Sequence, residues 1–427
     1  MSSSTKNAFP RELLAFALLL AIIAGVYALQ GAVYSTRMLV EAACYAIIAL
    51  GLNIQWGYAG MFNVGLMGFI AAGAAISTIL TVPTNPDFWN SQGPGMMLGL
   101  VVRLVLGGLL IFLANRSDKL LGVSSTVKGI LIAIALAMAW IMVTTATTDL
   151  ATEVESKAVW MGGLGLPVYL GWIAAAILAG LIAWFVGKVC LGLRSDYLAI
   201  ATLGFAEIIK IFLKNADWLT KGTLTVSPLP WPVGRPEDGE FLLARSLYLS
   251  IVAAVAIVIY LALQRAYHSP WGRMMRSIRD NEEAAEAMGK NVNRRRLEIF
   301  ILGSALVGLG GAILIHFTGV FDPSGFIPLN HTFLVWVMVI LGGSGNNRGA
   351  IFGALIVYIV WVMSAPASTW LFDQLRTYGD AWFGWQAPTD LDSRALQMRV
   401  FVIGLAIVIV LRIAPQGALP ERISHKK

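Results

Sequence analysis

The chain has 427 residues, of which 57% are apolar and only 13% are charged. Soluble globular proteins carry about 25% charged residues, so this composition excludes a cytosolic enzyme, a disordered chain and a secreted disulfide-rich module. The net charge of +7 is small for this length, so its distribution along the chain is more informative than its size.

Apolar windows recur along the chain, and a membrane-spanning helix needs roughly 20 apolar residues to cross a hydrocarbon core of about 30 Å. The first window follows Lys6 and Arg11 without a signal-peptide cleavage pattern, so we interpret it as a retained helix. The sequence therefore predicts one domain over residues 1–427, an all-α polytopic transmembrane helical bundle of about 10–12 spans. The windows lie at 13–29, 38–55, 61–81, 96–113, 127–148, 167–188, 197–214, 241–264, 297–320, 333–343, 349–366 and 399–413.

Two features of these windows predict irregular helices. A short glycine-rich turn joins windows 333–343 and 349–366, so a re-entrant pair that does not cross fully is an open alternative there. The run Gly57-Tyr58-Ala59-Gly60-Met61-Phe62-Asn63 is typical of a broken helix that lines a cavity. Small residues at 57–73, 303–311 and 349–353 predict packing seams, because they let helix backbones approach closely.

Basic residues concentrate in a few segments, and short cytoplasmic loops of membrane proteins carry such an excess. These segments are the loop 265–296, the stretch 116–128, the turn with Lys188 and Arg194, and the tail 412–427. Twelve spans place all of them on one side, so both termini are predicted to be cytoplasmic. The segments predicted to lie outside are 82–95, 149–166, 215–240 and 367–398.

The motifs of common catalytic sites are absent from the sequence. It has no phosphate loop, no H-E-x-x-H pattern and no Cys/His cluster at metal-ligand spacing. Cys44 and Cys190 lie singly in apolar stretches and are expected to be buried and free, and His316 is expected to be a hydrogen-bonded core residue. We therefore expect neither an enzyme nor a cofactor or metal site on this chain.

The loop 265–296 carries a short helix with signals at both ends. Asp280 is expected to cap it, with Glu283 closing a capping box and Gly289 ending it. Its small apolar face is able to dock into a groove on a cytoplasmic partner, although a surface helix held to anionic lipid is an open alternative. The residues assigned to coupling are Asp280, Glu282, Glu283, Ala284, Ala285, Met288 and Gly289.

Ionisable residues inside a membrane cost about 2.5–3.5 kcal/mol at a helix centre, so each one needs a partner or a function. Glu207 and Lys210 are able to pair on one helix face, and a structural pair and a substrate contact both stay open. Glu41 is near the start of its span, and Arg103 is expected to face a cavity or a partner. The predicted substrate-pathway residues are Asn53, Gln55, Asn63 and Glu207.

Four stretches in a fixed order resemble the LivM-type permeases of branched-chain amino acid ABC importers. Residues 272–289, GRMMRSIRDNEEAAEAMG, resemble the coupling loop of ABC-importer permeases. Similar to other elements of that family are LNIQWGYAG at 52–60, LRSDYLAIATLGFAEI at 193–208 and VILGGSGNNRGAIFG at 339–353. The chain departs from the family pattern at Asn63-Val64-Gly65-Leu66, at Lys221-Gly222-Thr223 and at Asn347-Arg348.

The resemblance implies a permease subunit in the bacterial cytoplasmic (inner) membrane. It implies two ATP-binding subunits that hold the ATP, a paralogous second permease forming a heterodimer, an extracytoplasmic solute-binding protein and membrane lipid as neighbours, without nucleic acid. The implied substrates are branched-chain or other hydrophobic amino acids, with urea, short-chain amides or polar amino acids as alternatives. A proton-coupled secondary transporter using Glu41 or Glu207, or a membrane scaffold that transports nothing, also stays open.

Overall fold

The computed structural model describes residues 8–421, apart from residues 119–121, 123, 159, 235–239, 384–387, 389–390 and 415. Over these residues the fold is all-α, and the predicted fold class is confirmed. The helices are α1 Ala8–Asn53, α2 Leu66–Thr81, α3 Pro86–Trp89, α4 Gly93–Asn115, α5 Ser125–Lys157, α6 Val168–Cys190, α7 Ser195–Asn215, α8 Asp217–Thr220, α9 Phe241–His268, α10 Pro270–Asp280, α11 Glu282–Ala287, α12 Val292–Thr318, α13 Leu334–Gly342, α14 Asn347–Phe383 and α15 Leu391–Ile413.

Among the described residues, 7 helices are long and apolar enough to cross a membrane. They are α1, α4, α5, α6, α9, α12 and α14. Two further apolar helices are shorter, α2 and the segment Leu329–Gly342 that ends with α13. Isolated bridges, rather than strands, are the extended pairings in this part of the chain. The chain is therefore a multi-pass membrane protein.

The long first helix is a hairpin that reverses at Gly31, whose backbone is non-helical (φ 81°, ψ 172°). Glu12 forms an ion pair of 3.0 Å with Arg348, and the amide of Asn53 donates to Asn347 at 3.1 Å. An unbroken helix would hold Glu12 and Asn53 about 60 Å apart, so both can reach adjacent residues only if the chain turns back. The two predicted windows 13–29 and 38–55 are therefore two antiparallel arms.

One end of the bundle gathers the basic loop, and we refer to it as the basic end. Arg279 of this loop contacts the Gly57 carbonyl and pairs with Glu421 at 2.8 Å. A recess at the same place is lined by Arg194 and by Glu282. The loop, Gly57 and the last described segment thus meet at this end.

The opposite end gathers three of the four segments that the sequence places outside. The Asn85 side chain donates to the Trp160 carbonyl at 2.9 Å, and the Met161 amide donates to the Trp218 carbonyl at 3.1 Å. Val226 pairs with residues that follow α12 through the bridge to Phe321. Helices whose two ends lie at these two places cross the whole bundle.

These contacts bear on the number of crossings within the described part of the chain. The short helix α2 runs from the basic end, where Gly60 contacts Arg279, to the opposite end beyond Thr81. The segment Leu329–Gly342 likewise returns from the opposite end to the Gly343 turn beside Leu419. Together with the two arms of α1 and the longer helices, these segments are consistent with the upper limit of twelve predicted spans. Helix α13 alone is too short to cross a full hydrocarbon core.

The core of the bundle is built around α12, which packs against α6, α1 and α2. A Cβ added to Gly303 would lie 2.6 Å from the Gly51 carbonyl oxygen, and one added to Gly311 would lie 2.7 Å from the Ile70 carbonyl oxygen. Close backbone approach of this kind confirms that the predicted glycine stretches are packing seams. The thiols of Cys44 and Cys190 are free and buried in this core, as expected.

One helix is longer than its apolar window, and one pair of helices stands apart from the others. Helix α14 does not stop at residue 366 but continues through Pro366 to Phe383, because the following residues retain the helical hydrogen-bond ladder. Helices α4 and α5 pack mainly on each other and contact the rest of the chain through short elements at the opposite end. They form a peripheral hairpin beside the main bundle.

Candidate coupling site and helix break

The basic loop folds into two helices, and the cap differs from the prediction. Asp280 is the last residue of α10, whereas Asn281 caps α11: its Oδ1 accepts a hydrogen bond of 2.9 Å from the Ala284 amide. The prediction that Asp280 caps the helix is therefore wrong. Asn281 has the extended backbone that an N-cap needs (φ −157°, ψ 104°), while Asp280 is still helical.

The predicted apolar face of α11 is divided between the protein and its surroundings. Ala285 is buried against its own chain at 6% exposure, whereas Met288 is 79% exposed and Ala284 is also exposed. Glu283 is exposed, and Gly289 ends the helix with a positive φ of 77°. The exposed surface of α11 is therefore built from Ala284 and Met288 with flanking carboxylates, while Ala285 packs the helix against its own chain.

An ion pair fixes α11 to the start of the central helix. Glu282 accepts a hydrogen bond of 2.7 Å from Arg296 of α12. Beside this pair lies a polar recess of about 450 Å³, which the turn 191–195 and Gly60 also line. Helix α11 is thus bonded to the start of α12 and lies across the recess from Gly60 of the helix break.

The predicted helix break is present between α1 and α2. Residues Ile54–Tyr58 form a π-helical turn, residues 60–65 are not helical, and α2 begins at Leu66. A Cβ on Gly57 would lie 2.7 Å from both Asn53 Oδ1 and the Gly345 Cα, which explains why this position holds glycine. The break lies at the basic end of the bundle.

The three predicted pathway residues beside the break are all fully buried and bonded within the chain. Gln55 donates to the Phe300 carbonyl at 3.1 Å and to the Ser304 hydroxyl at 3.0 Å, and its Oε1 accepts from the Asn63 amide at 2.9 Å. Asn53 accepts from the Gly345 amide at 2.9 Å. These side chains fix the break against α12 and the α13–α14 turn, and a role in lining the pathway stays a prediction.

Aromatic rings cover one side of the break. Trp56, Phe62 and Trp336 have ring centroids 4.6 to 5.5 Å apart, and the Trp336 indole donates to the Asn63 carbonyl at 3.0 Å. Phe62 and Trp336 also line an apolar cavity of about 230 Å³. The three aromatic residues are visible in the sequence, but nothing near any of them indicates that their rings meet in the folded chain.

Arg279 joins the loop to the break, and the sequence did not single it out. Its guanidinium donates to the Gly57 carbonyl and to Glu421. Burial lowers the pKa of the Arg279 guanidinium, but the charge of Glu421 and the hydrogen bond to it raise that pKa overall, so the group stays charged. The basic character of the loop was visible in the sequence, whereas the choice of this arginine depends on tertiary contacts.

Helix α7 carries Glu207 and leaves most of its surface unpartnered within the described chain. Its buried side, with Thr202 and Ala206, packs against α2. Glu207 lies 3.7 Å from Lys210, which confirms that these residues pair on one face, with exposures of 38% and 20%. Polar groups on a membrane helix face the protein or water rather than lipid, so this surface of α7 suits a partner or an aqueous path.

The other intramembrane polar residues have partners inside the chain. Glu41 pairs with Arg37 at 3.1 Å and accepts a hydrogen bond from Tyr358. His316 is fully buried, and its imidazole meets the Thr81 hydroxyl at 2.9 Å, which confirms the core interpretation. Arg103 lies 3.9 Å from an aspartate of α5 and lines a groove of about 870 Å³ in the peripheral hairpin, so it does face a cavity.

Comparison with known proteins places this architecture among transport proteins. The model of the family "Branched-chain amino acid transport system / permease component" matches residues 34–159 and 120–411. The probable branched-chain amino acid transport permease protein LivM of Methanocaldococcus jannaschii is 23% identical over 390 residues, which cover 88% of this chain and 91% of the relative. No solved structure matches the chain.

Two relatives from Escherichia coli K12 match in part. The high-affinity branched-chain amino acid transport system permease protein LivM is 28% identical over 205 residues, covering 43% of this chain and 48% of the relative. The permease protein LivH of the same kind of system is 28% identical over 207 residues, covering 47% of this chain and 66% of the relative. The chain thus spans about half the length of the Escherichia coli LivM that it matches.

Proposed function

The chain belongs to the family of permease components of branched-chain amino acid transport systems, and from this we propose that it is the permease subunit of an importer driven by separate ATP-binding subunits. The members of this family are transport components rather than enzymes. The observation that carries the proposal is α11, a capped helix with exposed Ala284 and Met288, set at the basic end and joined through Arg279 to the helix break.

We assign the basic end to the cytoplasm of a bacterial inner membrane. Arginines and lysines accumulate in the loop 265–296 and at the neighbouring turn, and such an excess marks the cytoplasmic side. Glu12 and Glu421 lie at this end, so the proposal puts both chain termini in the cytoplasm. The proposed ATP-binding subunits lie in the cytoplasm, where α11 would contact them.

In this proposal, ATP hydrolysis by the partner subunits moves the permease through the exposed surface of α11. A short helix with a small apolar face fits the helix-in-groove mode of docking. Met288, at 79% exposure, is the apolar side chain that would enter the groove of the partner. Glu282 and Arg296 pass a displacement of this helix to α12, while Arg279 passes it to the break. ATP stays on the partner subunits in this scheme, and the permease supplies the moving pathway.

The pathway is expected at the interface with a second, related permease, lined on this chain by α7. Helix α7 is not among the 7 apolar candidate spans, although its ends reach both ends of the bundle. Glu207 and Lys210 lie on its partly exposed surface. Asn53, Gln55 and Asn63 act in this proposal as the fixed support of the break, since their hydrogen bonds are used within the chain.

The proposed substrates are branched-chain or other hydrophobic amino acids, delivered by a solute-binding protein at the opposite end. The relatives named above transport branched-chain amino acids, and that property supports the assignment here. Urea, short amides and polar amino acids are the competing substrates. A proton-coupled mechanism through Glu41 or Glu207 is less well supported, because both carboxylates already pair with cations of this chain.

Uptake by reconstituted vesicles tests the proposal. The chain would be incorporated with its second permease and ATP-binding subunits, and radiolabelled leucine uptake would be measured with binding protein outside and ATP inside. We expect uptake of the labelled leucine to require both ATP and the binding protein. Excess unlabelled leucine should compete with this uptake, whereas urea should not. Uptake by this chain alone in a pH gradient, without ATP, would instead identify a secondary transporter.

A further inference from the structure

The last described segment, residues 416–421, is a strap folded back across the α13–α14 turn. The Ala418 amide donates to the Leu341 carbonyl at 2.7 Å, and the Leu419 amide donates to the Gly342 carbonyl at 3.0 Å. The Asn346 side chain returns a hydrogen bond of 3.0 Å to the Leu419 carbonyl. Leu419 is buried at 2% exposure. The strap is therefore fixed in place and brings Glu421 beneath the basic loop.

Glu421 occupies a largely buried position among donors from two different helices. Its carboxylate accepts hydrogen bonds of 2.8 Å from the Tyr267 hydroxyl of α9 and 2.8 Å from the Arg279 guanidinium of α10. The side chain of Glu421 is 13% exposed and that of Arg279 is 22% exposed. Arg276 stacks over the Tyr267 ring at 4.1 Å and completes the cluster. An ion pair in such a position is only weakly screened by salt.

Arg279 connects this cluster to the helix break on one side and to α11 on the other. The same guanidinium nitrogen that binds Glu421 also donates to the Gly57 carbonyl in the π-helical turn. A Cβ on Gly60 would lie 3.2 Å from Arg279 Cγ, so the aliphatic stem packs on the break as well. Asn281, which caps α11, follows two residues later.

We propose that Glu421 is a positioning residue that holds Arg279 on the Gly57 carbonyl, so that movement of α11 is transmitted to the helix break. The inference rests on the proposed ATP-driven function and adds a part to it. Without the negative charge of Glu421, the guanidinium loses its buried counter-ion and is drawn toward Asp280, which it already contacts at 3.1 Å. The Gly57 carbonyl then loses its donor, and α11 moves without carrying the break along.

The substitution Glu421→Gln tests this role because it removes the charge and keeps the size of the side chain. In the reconstituted full complex, we expect ATP-binding subunits to bind and hydrolyse ATP as before. The ratio of leucine imported to ATP hydrolysed should fall by about fivefold or more, the size of a typical coupling effect. Arg279→Met, which keeps an apolar stem but removes every donor to the Gly57 carbonyl and to Glu421, should lower the same ratio.

Glu298→Gln is the matched control. Glu298 pairs at 2.7 Å with Arg295 on its own helix α12 at the basic end, so its loss should leave the ratio unchanged. If Glu421→Gln lowers hydrolysis and uptake in parallel, or lowers only the melting temperature, Glu421 is merely structural and the inference is wrong. The inference is also wrong if Glu298→Gln lowers the ratio as much as Glu421→Gln does.

A second measurement separates this inference from the proposed function and applies even if a variant fails to assemble with partners. Hydrogen exchange on the purified full chain would report the amides of residues 57–63. We expect faster exchange there in Glu421→Gln and wild-type rates in Glu298→Gln. Unchanged exchange in Glu421→Gln overturns the positioning role. Import of leucine by the wild-type chain without ATP overturns the proposed function and not the positioning role.

Discussion

The side-chain amide of Asn53, the last residue of α1, donates a hydrogen bond of 3.1 Å to Oδ1 of Asn347, the first residue of α14. Oδ1 of the same Asn53 accepts from the Gly345 amide at 2.9 Å, and Tyr58 donates to Asn347 at 2.9 Å. Both asparagines are buried, at 0% and 2% exposure. The edge of the helix break is thus fastened to the neighbouring turn by a closed polar network.

Removing this network should destabilise the fold. In Asn53→Ala the Gly345 amide and Asn347 each lose a buried partner, and we expect the free energy of unfolding to fall by about 1–3 kcal/mol. Thermal unfolding of the purified chain in detergent micelles measures it. The control is Asn215→Ala, whose exposed amide donates to the Ile211 carbonyl of its own helix. Equal melting temperatures for the two variants would contradict the structural role of Asn53.

The glycine seam between α1 and α12 predicts a sharp difference between two glycine-to-alanine changes. Gly303→Ala should lower stability by about 1–3 kcal/mol, because its Cβ would lie 2.6 Å from the Gly51 carbonyl oxygen. Gly129→Ala in α5 meets nothing within 4 Å, so alanine should raise stability by up to about 1 kcal/mol through its higher helix propensity. Melting temperatures that shift in the same direction would show that the seam is looser than described.

The surface of α7 predicts that transport and stability respond differently at Glu207. Its pair with Lys210 is partly exposed and contributes only about 0–1 kcal/mol to stability, so Glu207→Gln should melt near the wild-type temperature. Leucine uptake should nevertheless fall about tenfold, the effect of losing roughly 1.4 kcal/mol of interaction along the path. Glu153→Gln in the peripheral hairpin is the control. Wild-type uptake by Glu207→Gln would remove α7 from the pathway.

The sequence predicted the elements whose signals are local. Apolar windows located the membrane helices, and the glycine run at 57–63 located the break. The spacing of Glu207 and Lys210 correctly predicted their pairing. Each of these depends on residues within a few turns of one another, so periodicity and composition are sufficient to find them.

Features that depend on distant contacts could not be predicted in this way. Asp280 and Asn281 are both competent caps by residue type, and the backbone turn between α10 and α11 selects Asn281. The burial of Ala285 depends on how α11 packs on the bundle. Arg279 and Glu421 are far apart in sequence, and nothing near either residue marks them as a pair. Exposure and partner choice are properties of the folded chain.

The affinity of the ATP-binding subunits for the permease tests the proposed coupling most directly. Met288→Asp places a charge on the exposed apolar side chain of α11, which is 79% exposed. Val127→Asp places a charge on an apolar residue at the start of α5, which is 42% exposed. We expect Met288→Asp to weaken binding at least about tenfold, the equivalent of roughly 1.4 kcal/mol, and Val127→Asp to bind like wild type. Wild-type affinity for Met288→Asp, together with normal ATP-dependent uptake, would contradict coupling through α11.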